Sequence, residues 1–206
     1  QGYDILDMTI GDPEDETCPK ARQAAIHYLN QHNSSHYPKA IGHLEYRKSV
    51  ADWIKKTYQK DYNPNTQIMS CNGTKEAIFS FPLLFDWKKS GKKIWIPELS
   101  YPVYKMSADY LSIPYERVPV SPKTNFLPDL DQIPSENWSS CGMFWINSPN
   151  NPSSGVASKS YLTQLLDLAE QYQFFVASDE CYNDLYEDKV PASMLSETQS
   201  ERWVVF

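Results

Sequence analysis

From residue 67 onward, short strand-like runs alternate with helical patterns, and this alternation limits the fold more than any other feature of the chain. Strands are predicted at 67–71, 93–96, 115–118, 143–147, 174–178 and 203–206, and helices at 74–87, 103–111 and 158–171. Such an order predicts an α/β fold: a mostly parallel sheet with helices on both faces. Phe174, Phe175, Val176 and Ala177 have the unbroken apolarity of a strand buried on both sides, and that strand ends on a carboxylate, Asp179. Before this region, apolar spacing predicts helices over 19–31 and 44–58, separated by a loop punctuated by Pro38 and Gly42.

Composition excludes several classes. With 206 residues, 41% of them hydrophobic, the chain can bury a core. A formal charge of −7 without clustered Lys or Arg argues against nucleic acid as a partner. No apolar run approaches the roughly 18 residues needed to span a bilayer, and QGYDILD lacks the shape of a signal peptide, so a cytoplasmic protein is expected. Cys18, Cys71, Cys141 and Cys181 form no CxxC pair, and His27, His32, His36 and His43 have no HExxH-like partner, so no metal is expected.

In open parallel sheets, ligands gather beyond the carboxyl ends of the strands. Four polar motifs stand there. NGT, 72–74, precedes a helix: Gly73 would let the backbone approach an anion and Thr74 would add a hydroxyl, although an Asn-Gly turn with a capping Thr is the plain alternative. Tyr101 and Tyr104 follow the strand at 93–96 and could stack on a planar ligand or merely pack a loop. Asn147, Asn150 and Asn151 follow the strand at 143–147 and could bond a ligand's polar edge or simply shape a turn. Asp179, with Tyr182 three residues on, could cap a helix or answer a cation. A stacking ring, an anion cradle, an amide and a carboxylate are together what a planar, phosphorylated, nitrogen-containing cofactor needs.

The residues resemble the pyridoxal-phosphate aminotransferases of fold type I, class I/II. NNPSSG looks like that family's NPTG signature, SDECY like its aspartate-x-x-tyrosine signature, NGTKEA like its phosphate-binding turn and YPVY like its cofactor-stacking segment. HYPKAIG with LEYRKSVADW resembles the loop and helix that precede its large domain, which implies an N-terminal arm and small-domain segment, 1–43, and an incomplete large cofactor-binding α/β domain, 44–206. The resemblance implies pyridoxal 5'-phosphate as cofactor, with Asp179 on the pyridine nitrogen and Tyr182 and Asn151 on the ring's phenolic oxygen. It further implies Tyr101 on the ring face, Gly73, Thr74 and Lys75 around the phosphate, and Gly11 near the substrate carboxylate. Tyr37 would reach the phosphate of a partner subunit, which implies a homodimer. One departure stands out: an ungapped match puts Ser154 where the family has glycine, so a positive φ there would strain the serine.

Within the family, NFLPDLDQIPSENW and ASDECYNDLY look like the succinyldiaminopimelate aminotransferases of bacterial lysine synthesis, implying amino transfer between glutamate and N-succinyl-2-amino-6-ketopimelate. Aspartate, alanine and aromatic aminotransferases share the cofactor motifs. The family's Schiff-base lysine follows the strand after the aspartate, and Lys189, the only lysine after Asp179, lacks the matching context. The 206 residues are therefore expected to be an N-terminal part that does not transaminate alone. A non-catalytic cofactor-binding module is the other reading, and a nucleotide-binding oxidoreductase is disfavoured because GxGxxG is absent.

Overall fold

The computed structural model of the protein describes residues 11, 15–31, 37–197 and 200–206. The chain divides into two compact units, Gln1–Pro38 and Lys39–Phe206. The first contains helix α1 (Pro19–Gln31), and the second opens with α2 (Leu44–Tyr58). The order then runs α3 (Thr74–Ser80), α4 (Trp87–Ser90), β1 (Lys93–Pro97), α5 (Val103–Tyr110), β2 (Tyr115–Val118), β3 (Cys141–Asn147), α6 (Lys159–Tyr172), β4 (Phe175–Asp179) and β5 (Trp203–Val205).

Five strands form one sheet in the order β2-β1-β3-β4-β5, and every neighbouring pair is parallel. Alternation along the strands divides the core in two. Trp95, Phe144, Ile146 and Val176 pack with Leu162, Leu165, Leu166 and Ala169 of α6, while Ile94, Ile96, Met143, Trp145 and Ala177 pack with Ile78 of α3 and Val103, Tyr104 and Ala108 of α5. Helices thus cover both faces, which is why these strands read as continuous apolar runs. The chain leaves β1 toward β2 and returns to β3 on β1's other side. The strand order reverses between β1 and β3, the place where such sheets open a crevice at their carboxyl ends.

Two elements differ from the sequence reading. The helix expected over 74–87 stops at Ser80, and a 3-10 turn, Phe81–Leu84, precedes α4. Pro82 has no N–H to donate and its ring crowds the preceding turn, so the α-helical ladder cannot pass it. The run 67–71 forms no strand. Strand formation needs a partner as well as a pattern, and a trough of about 750 Å³ lies between Gln67–Ile68 and the edge strand β5.

Candidate active site

The carboxyl ends of β1, β3 and β4 and the start of α3 meet around a cavity of about 160 Å³. Its lining includes Thr74, Lys75, Tyr101, Asn151, Asp179 and Tyr182, six of the residues singled out from sequence. The trough beside β5 is larger, but it brings together none of the expected site residues, so size alone misidentifies the site. Gly73 immediately precedes the lining residues as the N-cap of α3, with φ +84 and open space where a Cβ would stand. Gly11 and Tyr37 belong to the first unit; both are exposed, Tyr37 fully.

Asp179 is the floor of the cavity and is 3% exposed. Its Oδ2 accepts a hydrogen bond of 2.6 Å from the Tyr104 hydroxyl, and its Oδ1 accepts a longer one, 3.3 Å, from the Cys181 N–H. Tyr104 is itself fully buried and stacks on Trp145 at 4.5 Å between ring centroids, so the phenol has little freedom to turn away. Burial, and then the Asp179 charge, push the Tyr104 hydroxyl far above its usual pKa, which keeps it a donor. Cys181 is exposed as a residue, yet protein packed around its sulfur and then the Asp179 charge push its thiol up to about 12, and a protonated thiol is a poor nucleophile.

Asn147 ties the strand ends together. Its Nδ2 donates to the Asp179 carbonyl at 2.8 Å, and its Oδ1 accepts from the Asn151 N–H at 2.6 Å. Asn151 Nδ2 in turn donates to the Tyr182 hydroxyl oxygen at 3.3 Å. Tyr101 lies edge-on to Tyr104, with centroids 5.9 Å apart. The sequence offered Tyr104 as a possible stacking ring and Asn147 as a possible ligand amide, but the family resemblance assigned neither a role, and neither was read as a support for Asp179 or Asn151. The three-residue step from Tyr101 to Tyr104 at a helix start was the available signal, since it puts the second ring one turn further in.

The turn carrying Asn151 is held by Asn150 N–H to Gly155 O at 2.8 Å, Ser154 N–H to Asn150 O at 2.7 Å and Asn150 Nδ2 to Ser153 Oγ at 2.7 Å. Ser154 sits at φ +60, the left-handed conformation that the sequence comparison with glycine anticipated. That conformation costs a non-glycine residue about 1–2 kcal/mol, offset in part by glycine's greater unfolded-state entropy. Ser154→Gly is expected to raise stability by about 0.5–1 kcal/mol in chemical denaturation; a loss of stability would show that the serine makes a compensating contact.

The donor set suits a planar, phosphorylated pyridine. One buried carboxylate has an under-used oxygen, a phenol and an amide converge beside it, a second phenol offers a ring, and Thr74 and Lys75 stand at a helix start. Over residues 3–205 the chain matches the model of the aminotransferase class I and II family, and it belongs to that family, whose members depend on pyridoxal phosphate. Among curated relatives, the LL-diaminopimelate aminotransferase of Aquifex aeolicus is 37% identical over 194 residues, an alignment covering 93% of this chain and 50% of the relative. An aminotransferase crystal structure from Neisseria meningitidis superposes with a TM-score of 0.82 at 28% identity, covering 95% of this chain and 50% of that one. A probable N-succinyldiaminopimelate aminotransferase from Thermus thermophilus has a TM-score of 0.86 at 24% identity, covering 98% and 54%, a likeness of fold alone. The chain spans about half the length of the curated relatives it matches.

Proposed function

We propose that the protein carrying these residues is a pyridoxal-phosphate-dependent aminotransferase that moves an amino group between diaminopimelate and a 2-oxo acid. The observation that carries the reading is the buried Asp179 carboxylate at the mouth of β4, facing a cavity ringed by Tyr101, Asn151 and Tyr182. Pyridoxal phosphate, when bound, supplies a conjugated ring able to take up the electron pair released at a substrate carbon. Asp179 Oδ1, engaged by a single long bond, has the capacity to accept from a protonated ring nitrogen and so to hold the proton there. Tyr104 occupies Oδ2 and keeps the carboxylate turned. The Tyr182 hydroxyl and Asn151 Nδ2, bonded to each other on the cavity lining, would donate to the ring oxygen, and Tyr101 would stack on the ring face. Thr74 Oγ1 and the free N–H groups after Gly73 serve the phosphate, with Lys75 adding charge.

The names of the curated relatives support diaminopimelate itself as the substrate, and the N-succinylated keto acid inferred from sequence is the second candidate. Tyr37, with its side chain free in its own unit, is assigned to a partner subunit's phosphate in a cytoplasmic homodimer, and Gly11 to the substrate carboxylate. The test is an amino-transfer screen of the full-length protein: diaminopimelate with 2-oxoglutarate, glutamate with the N-succinylated keto acid, and aspartate, alanine and aromatic donors. Turnover highest with diaminopimelate is expected. Cofactor binding without transfer to any acceptor would replace this reading with that of a non-catalytic binding module.

A further inference from the structure

Two carboxylates stand in succession at the end of β4, and strand alternation turns them to opposite sides. Asp179 meets Tyr104, from the core under α3 and α5; Glu180 meets Met194, from the core under α6. Glu180 lines no part of the cavity, yet it is only 8% exposed. A buried carboxylate is costly unless donors answer it, and several do. Its Oε1 accepts from Ser178 Oγ and from the Met194 N–H, both at 2.9 Å, and its Oε2 accepts from Asn183 Nδ2 at 2.8 Å. Burial pushes this carboxyl up, while Ser193, Met194 and Ser178 act in the other direction.

These donors lie at both ends of the segment 183–194, so one side chain closes that loop at its base. Tyr182 sits at the loop's entrance. It is bracketed by the Cys181 N–H on Asp179 and by Asn183, whose N–H donates to the Glu180 carbonyl at 2.9 Å and whose side chain reaches the Glu180 carboxylate. The Tyr182 hydroxyl accepts a long bond, 3.3 Å, from Asn151 Nδ2 and stands beside the Cys181 thiol, so its own polar ties are weak. The backbone on either side therefore sets where this hydroxyl stands more than its own bond does.

We propose that Glu180 is the positioning residue for Tyr182, holding residues 181–183 so that the Tyr182 hydroxyl faces the cavity beside Asn151. This rests on the reading above, in which Tyr182 bonds the cofactor ring. The probe is pyridoxamine 5'-phosphate, which binds without forming a bond to lysine, titrated into the full-length apoprotein with fluorescence as the readout. Glu180→Ala weakens its binding about five- to tenfold, and Glu180→Gln, whose amide can still serve Ser178, Met194 and a rotated Asn183, stays within about twofold. In a Tyr182→Phe background the alanine change has no further effect, because it acts through that hydroxyl. A merely structural role would add its loss in both backgrounds. Should Glu180→Ala fail to fold, Asn183→Ala cuts the same tie with a smaller change, and its effect must likewise vanish with Tyr182→Phe. Weakening by Tyr182→Phe alone, with Glu180→Ala and Asn183→Ala binding like the wild type, would overturn the inference and leave the proposed function standing. Failure of the wild type to bind would overturn both.

Discussion

Asp179→Asn is expected to weaken pyridoxal phosphate binding about 10- to 100-fold with little effect on the fold, whereas Asp179→Ala weakens both. The carboxylate's bond to a protonated ring nitrogen is charge-assisted, and such bonds contribute about 1.5–3 kcal/mol. Asparagine keeps an oxygen for the Tyr104 hydroxyl, so that phenol remains partnered. Its Nδ2 then presents a donor to the cavity, which suits the ring only in its unprotonated form. Alanine leaves a fully buried hydroxyl, held by Trp145 and unable to ionise, without its 2.6 Å partner. That loss is worth about 1–3 kcal/mol of stability. Thermal unfolding of the two variants separates the structural part from the binding part. Equal stability of the two would show that Tyr104 does not depend on Asp179, and cofactor affinity unchanged in either would show that Asp179 does not serve the cofactor.

The sequence made some of this visible for a clear reason. α1 and α2 carry local periodicity, and their limits, Pro19–Gln31 and Leu44–Tyr58, match the expected helices. The ends of β3 and β4 were legible because each apolar run stops on a polar side chain, Asn147 or Asp179, where hydrogen-bonding groups take over from the core. What was not legible depends on pairing. The run 67–71 has a strand's composition, but among the described residues no strand lies beside it and the Ser70 N–H bonds the loop carbonyl of Ile41 instead; the Tyr104–Asp179 bond joins residues 75 apart in the chain. Glu180 appeared only as a letter within SDECY; its role as a tie between Asn183 and Met194 exists only after the loop has closed. The substrate was read less sharply than the cofactor for a related reason: the motifs describe the ring's surroundings, which aminotransferases of different substrates share.

Gly155→Ala is expected to destabilise the protein by about 3 kcal/mol or more, the reverse in sign of the change at its neighbour Ser154. An added Cβ would lie 2.1 Å from the Asn125 carbonyl oxygen and 3.3 Å from Ser153 Oγ. A flexible side chain could move aside; this carbonyl cannot easily do so. Asn125 is in a left-handed turn at φ +53, followed by Phe126 at φ +57, and the Phe126 N–H is held by Ser121 O at 2.8 Å. Thr124 Oγ1, bonded to Leu127 O at 2.6 Å, braces the other side. The turn at Gly155 must therefore give way, and with it the 2.8 Å bond from the Asn150 N–H to Gly155 O. Asn151 is the next residue, so the displacement reaches the cavity, and pyridoxal phosphate binding should weaken along with stability. Glycine is needed at 155 for close approach of two backbones, whereas 154 needs only a tolerated φ. Chemical denaturation of Gly155→Ala and Ser154→Gly side by side tests that distinction, and a Gly155→Ala protein within about 1 kcal/mol of wild type would show that the Asn125 segment yields after all.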